Sequence, residues 1–411
     1  MNNKISTTFV YGNGLDLALH MKTSYKDFFE ELNVQGGFFD QHSSNPLTDY
    51  IQMVGEKDNW FDFESIIDNF ASQSNMGIAL RRCELFLTLL DDGIKRKENA
   101  YNKLSEFQDI IEFIPAIKAI IDFTKEHKYF EFRGEQVKKM NDAAKREIND
   151  FITNNSELIK NGYRDLKCAL ANFLRPKIHR DFENSCAYRI LGAILGLPNN
   201  GKDSLVDAFS KLSRNEKTLP MPNNNRIVSF NYVNEFERMG IHFQFNRKIN
   251  RRLGLESYIN SPLFMSIHGH LDFSNNSDYD DEKIIFGVND DKDIPYCLAF
   301  LKKQYWQEEN RRKIFNDLLF HSKRIVIYGH SIHGIDYEYY QDFLSEPHDD
   351  KEIYVIVNNQ KAVDEIKIGL SRKGCNAFIK YLIVDIFETD EYLKLLEDII
   401  RDTMDKSEGS E

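Results

Sequence analysis

The sequence predicts an α/β protein whose mostly parallel sheet is interrupted by a large all-helical insertion. Three observations carry that expectation. The chain opens on a short apolar run, Thr8-Phe9-Val10-Tyr11, that ends in Gly12-Asn13-Gly14. From Trp60 to about Lys217, apolar residues recur at three- and four-residue spacing with few glycines or prolines, which is the signature of helices. After Asn225, short apolar runs return, several of them followed at once by Asn, His or Gly. Continuous apolar runs suit parallel strands buried on both faces.

Taken in order, the first run feeds the glycine turn, and Thr23-Ser24-Tyr25-Lys26-Asp27 starts a helix. Either hydroxyl there can cap, and the Asp-Phe-Phe-Glu-Glu-Leu run that follows is amphipathic. Around Trp60-Phe61-Asp62-Phe63-Glu64 the long helical stretch begins. It ends at Leu219-Pro220-Met221-Pro222-Asn223-Asn224-Asn225, a run of turn formers that cannot continue a helix. Strands are then expected over Arg226–Phe230, Leu263–Ile267, Lys283–Phe286, Arg324–Tyr328, Ile353–Val357 and Tyr381–Val384. Crossover helices are expected near 297–320, 336–346, 360–371 and 389–403. The division that follows is 1–56 for the first part of an α/β nucleotide-binding domain, 57–222 for the helical insertion, 223–405 for the remainder and 406–411 for a flexible tail.

Composition narrows the function. At 411 residues with net charge −12 and pI near 5.5, the chain is poorly suited to broad binding of duplex nucleic acid, which depends on Lys and Arg releasing counterions. Cys83, Cys168, Cys186, Cys297 and Cys375 are scattered, and none forms a C-x-x-C pair; they read as reduced structural thiols. No run approaches the ~18 apolar residues of a membrane span, and the N-terminus reads as a core strand, not a signal peptide. The expectation is a soluble cytoplasmic protein with no membrane partner.

In an open parallel sheet, ligands bind beyond the carboxyl ends of the strands. The polar residues that follow the apolar runs are therefore the candidates. Gly12, Asn13 and Gly14 read either as a tight turn or as a phosphate cradle. The dinucleotide fingerprint would need a third glycine where Leu17 stands. Asp16 reads as a helix cap or a ribose contact. Asn231 can donate and accept at once, and His268 is matched to proton transfer near neutral pH. Gly329, His330 and Ser331 follow another strand, and Tyr11, Phe230, Tyr232 and Tyr328 flank the same rim, where they could wall it or pack on a base. His268-x-His270-x-Asp272 and His330-x-x-His333-x-x-Asp336 raise a metal reading, but their spacing does not match the helical HExxH pair. No metal is expected.

Gly12-Asn13-Gly14-Leu15-Asp16-Leu17, Thr23-Ser24-Tyr25-Lys26-Asp27-Phe28, Trp60-Phe61-Asp62-Phe63-Glu64, Phe230-Asn231-Tyr232, Ile267-His268-Gly269, Ile285-Phe286-Gly287 and Tyr328-Gly329-His330-Ser331 with Asp336-Tyr337 together resemble the AbiH-type bacteriophage abortive infection proteins. That resemblance implies a role in antiviral defence. The order of the rim motifs also resembles, more distantly, sirtuin-like NAD-binding domains, which implies a Rossmann-like (sirtuin-like) sheet. On that resemblance, Gly12 and Gly14 would approach a pyrophosphate, Ser331 would contact phosphate or ribose, Asn231 would orient ribose or water, and His268 would be the general base. NAD would then be hydrolysed to nicotinamide and ADP-ribose. Gly-Asn-Gly in place of Gly-Ala-Gly, Tyr232-Val233 where an Asp is common, and the lack of a four-cysteine ribbon weigh against deacylation. The partners implied are NAD or a related nucleotide, a phage-derived activator, and a second copy bound through the helical insertion. Two alternatives stand beside this one: a metal-dependent nuclease or phosphohydrolase, and a non-catalytic nucleotide sensor.

Overall fold

The computed structural model describes residues 7–14, 16, 22–42, 44–55, 62–96, 101–111, 113–126, 135–180, 226–232, 264–269, 284–305, 311–334 and 336–384, with 391, 394, 395 and 398. Six strands form one parallel sheet: β1 Thr7–Tyr11, β2 Arg226–Ser229, β3 Phe264–Ser266, β4 Arg324–Tyr328, β5 Glu352–Val357 and β6 Ile379–Ile383. Their order is β3-β2-β1-β4-β5-β6. β1 lies at the centre, with Phe9 opposite Ile227 on one side and Val326 on the other. This is a Rossmann-like layout, and the winding reverses between β1 and β4.

The apolar runs explain the placement. All five residues of β1 and all five of β4 are buried. Each fully buried Val, Ile or Phe side chain contributes roughly 1.5–3 kcal/mol, so these runs are most stable where both faces are covered. β6 alternates between half-buried and exposed residues, as an edge strand should. One face of the sheet packs Val10, Val228, Ile327 and Val355 with Phe315, Leu319, Tyr340 and Phe343 from the crossover helices Arg311–His321 and Tyr337–Leu344.

Two sequence expectations need correction. Ile284–Phe286 is buried but is not a strand; the Ile285 N–H donates 2.7 Å to the His268 carbonyl, and the chain then turns at Gly287. The stretch 297–320 is not one helix. Its described residues hold two 3-10 turns, Tyr296–Leu301 and Lys303–Tyr305, and the helix Arg311–His321. The proposed helix near 389–403, the tail 406–411, Trp60, Phe61, Cys186 and residues 181–222 of the expected insertion lie wholly or mostly outside the described residues.

The chain divides into two compact units. The sheet belongs to the first, made of residues 1–28, 168–285 and 306–411. The helix Tyr25–Leu32, whose first four residues belong to this unit, is started by Ser24: the Asp27 N–H donates to Ser24 Oγ at 3.1 Å, and the Ser24 N–H donates back to Asp27 Oδ2 at 3.3 Å. This reciprocal cap satisfies two backbone donors. The second unit, 29–167 with 286–305, is helical. Asp62 caps helix Phe63–Gln73 by accepting from the Glu64 and Ser65 N–H groups. Helix Asn75–Arg96 contributes Phe86 to a core with Phe107, Ile114, Ile117 and Ile148. The 46-residue helix Glu135–Arg180 belongs to this unit as far as Lys167. Among the described residues, no helix is long and apolar enough to cross a membrane, and Cys83, Cys168, Cys297 and Cys375 are thiols.

Candidate functional site at the carboxyl edge of the sheet

The strand ends bring most of the candidate residues into one region of the first unit. Parallel pairing continues one residue beyond the strands: the Phe230 N–H donates to the Tyr11 carbonyl at 2.9 Å, and the Ile267 N–H to the Ser229 carbonyl at 2.8 Å. Asn231 and His268 are thus the first residues off the ladder. Arg311 steadies the end of β3 by donating from Nη1 to the Ser266 carbonyl at 2.8 Å.

The glycine turn meets the loop after β4. The Gly12 N–H donates to the Tyr328 carbonyl at 3.1 Å and the Gly14 N–H to the Gly329 carbonyl at 2.9 Å. A Cβ on Gly14 would overlap the Gly329 backbone, and one on Gly12 would lie 2.7 Å from His330 Nδ1. Gly329 has φ +57°, a region that glycine enters at little cost. These glycines let two loops touch at the point where the sheet's winding reverses. Gly14 and Asp16 already have helical backbone. Asn13, exposed at the tip, accepts from Thr23 Oγ1 at 2.8 Å.

The polar side chains pair across loops. Asp16 does not act as an isolated cap: it is 2% exposed, and its Oδ1 accepts from Asn231 Nδ2 at 2.9 Å. Asn231 is 4% exposed and its backbone N–H donates to Ser229 Oγ at 3.1 Å, while its Oδ1 is buried with no hydrogen-bond partner among the described residues. His268, also buried, holds Asp336 Oδ1 at 2.9 Å through Nε2. His330 Nε2 stands 3.9 Å from the other Asp336 oxygen.

Aromatics wall this cluster. Phe230 stacks on His330 at 4.0 Å between ring centroids and meets His268 edge-on at 5.4 Å. Tyr340 stacks on Phe230 at 5.7 Å, and its phenol is held protonated first by burial and then by the Asp336 carboxylate. Tyr11 and Tyr328 are buried. Tyr232 is only half-buried, bonded through its hydroxyl to Tyr25 at 2.8 Å, with its ring centroid 5.7 Å from that of His268.

Ser331 is exposed and pairs with His333 Nδ1 at 3.4 Å. Asn231 and His268 stand out in the sequence as strand-end residues, whereas Asp336 appears there only within the histidine-rich metal pattern and the Asp336-Tyr337 motif. Its place beside His268 is a tertiary contact across 68 positions, which spacing does not reveal. Among the described residues, no three His, Cys, Asp or Glu side chains come together in a way that could hold a metal ion; His270 and Asp272 lie outside them.

What the arrangement offers is a buried imidazole–carboxylate pair and a carboxamide whose amide end is held by a second carboxylate. No match to the chain is found among curated proteins or among solved structures. The family model described as bacteriophage abortive infection AbiH matches residues 8–358, a span that contains β2 to β5, all of β1 but Thr7 and every site residue named above, so the chain belongs to the AbiH family of bacteriophage abortive infection proteins.

Proposed function

We propose that this abortive infection protein binds NAD at the carboxyl edge of its sheet and hydrolyses it to nicotinamide and ADP-ribose. The observation that carries the proposal is the His268–Asp336 pair, whose imidazole meets the rings of Phe230 and Tyr232, the sequence neighbours of Asn231, in a Rossmann-like sheet whose order reverses between β1 and β4. A carboxylate that accepts from one imidazole nitrogen fixes the tautomer and stabilises the cation formed when the ring takes a proton.

In the reaction, a water oxygen bonds to the anomeric carbon of the nicotinamide ribose. The bond from that carbon to the pyridinium nitrogen breaks, and its electron pair stays with nicotinamide. The water's proton passes to His268 and then to solvent. Asn231 positions the sugar or the water through its carboxamide. The phosphates would lie near the start of the helix at Gly14 and near Ser331. The Gly12 and Gly14 N–H groups already donate to the loop after β4, so the phosphates' donors must come from other groups of the rim. Half-buried Tyr232 is the aromatic beside His268 best placed to face the base or the nicotinamide.

The test is incubation of purified protein with NAD, alone and with extract of phage-infected cells, followed by mass-resolved product analysis. Nicotinamide and ADP-ribose in equal amounts support the reading. NAD that remains intact under both conditions overturns it, and tight binding without turnover favours the sensor alternative.

A further inference from the structure

Asn231 Nδ2 lies 2.9 Å from Asp16 Oδ1. A carboxylate only accepts, so the amide nitrogen must be the end that faces it, and the carboxamide cannot turn over without placing two acceptors together. The carbonyl end is then left as an acceptor, and among the described residues it is the end without a partner, in a residue only 4% exposed. A buried acceptor left unsatisfied costs free energy, which a ligand donor would recover.

We infer that Asp16 is a positioning residue that fixes the orientation of Asn231, so that the site meets its ligand there with an acceptor only and selects a hydrogen-bond donor on that ligand. This deepens the NAD reading above and rests on it for the identity of the ligand. The contact joins a residue just after β1 to one just after β2, and the two stand 215 positions apart.

Exchange of the two side chains tests it. Wild type, Asn231→Asp, Asp16→Asn and the double variant Asp16→Asn/Asn231→Asp are compared by thermal unfolding and by calorimetric titration with NAD. Asn231→Asp puts two carboxylates in contact and is expected to lower both Tm and NAD affinity, the latter at least tenfold. In the double variant the amide at position 16 donates and the carboxylate at 231 keeps one oxygen as acceptor, so both quantities recover.

Recovery of Tm without recovery of affinity would overturn the inference, because it would mean that position 231 serves its ligand as a donor. Unchanged NAD affinity in a folded Asp16→Leu variant, which offers the Asn231 amide no acceptor, would overturn it too. If wild type does not bind NAD at all, the NAD reading falls, and the positioning is decided on unliganded protein labelled with ¹⁵N-asparagine. An Asn231 side-chain NH₂ that exchanges slowly and is displaced in Asp16→Asn supports the inference. One that exchanges freely and does not move in that variant overturns it.

Discussion

Each unit of the molecule buries ionisable groups, and each does so differently. In the helical unit, Lys303 Nζ lies 3.2 Å from Glu64 Oε2 with both side chains almost wholly buried. The Gly287 N–H reaches Glu64 Oε1 at 3.4 Å, and Tyr163 donates to the Phe286 carbonyl while its ring stacks on Phe286 at 5.5 Å. Glu64 there meets both a cation and a backbone N–H within the unit. At the sheet edge, Asp16 and Asp336 hold Asn231 and His268, and Asn231 Oδ1 is buried without a hydrogen-bond partner among the described residues. Burial of charge therefore does not by itself mark a site. An incompletely satisfied polar group, at strand ends where the fold directs ligands, does.

Substitutions can break that contrast, beginning with the largest effect. Lys303→Met leaves the Glu64 carboxylate buried without its cation and should cost about 3–5 kcal/mol, measured by urea unfolding. A loss of activity should appear only in proportion to unfolding. Gly14→Ala forces the turn away from the Gly329 backbone and should cost about 1–3 kcal/mol, with loss of NAD binding even in the folded fraction. Asp62→Ala removes the acceptor for the Glu64 and Ser65 N–H groups and should cost about 1 kcal/mol, with NAD binding unchanged.

The smallest effect concerns pH. Partial burial draws His333 below its ordinary value of 6.5, Glu365 opposes that shift, and Lys373 adds to it. The folded state thus binds this proton less tightly than the unfolded chain. The contribution of His333 to stability is present above its ordinary pKa and is lost as pH falls through the folded value. His333→Gln should flatten the decline in stability on the acid side of pH 6.5, as followed by unfolding midpoints across that range.

Much of this was legible in the sequence. The runs at β1, β2, β4 and β5 read as strands because each is continuously apolar, and Asn231 and His268 stood out because they directly follow such runs. Ile284-Ile285-Phe286 has the same apolar continuity yet pairs with no strand, since a buried coil segment needs the same side chains. The helix expected over 297–320 failed because three-residue apolar spacing also suits the 3-10 turns found after Pro295. Asp16 and Asp336 were ambiguous for a different reason. A lone carboxylate carries no periodicity, and its partner is set by which loops the sheet order brings together. Ser24, by contrast, was half-resolved: two adjacent hydroxyls could each cap, and only the reciprocal bond with Asp27 selects one.

The central claim is that the sheet edge is a catalytic nucleotide site in which His268 takes a proton. The most direct measurement is nicotinamide release by wild type and by His268→Gln under identical conditions, with Tm recorded for both. The account predicts a loss of about 10²–10⁴-fold in turnover, with NAD affinity and Tm near those of wild type. Release at the wild-type rate by a folded His268→Gln variant would contradict it.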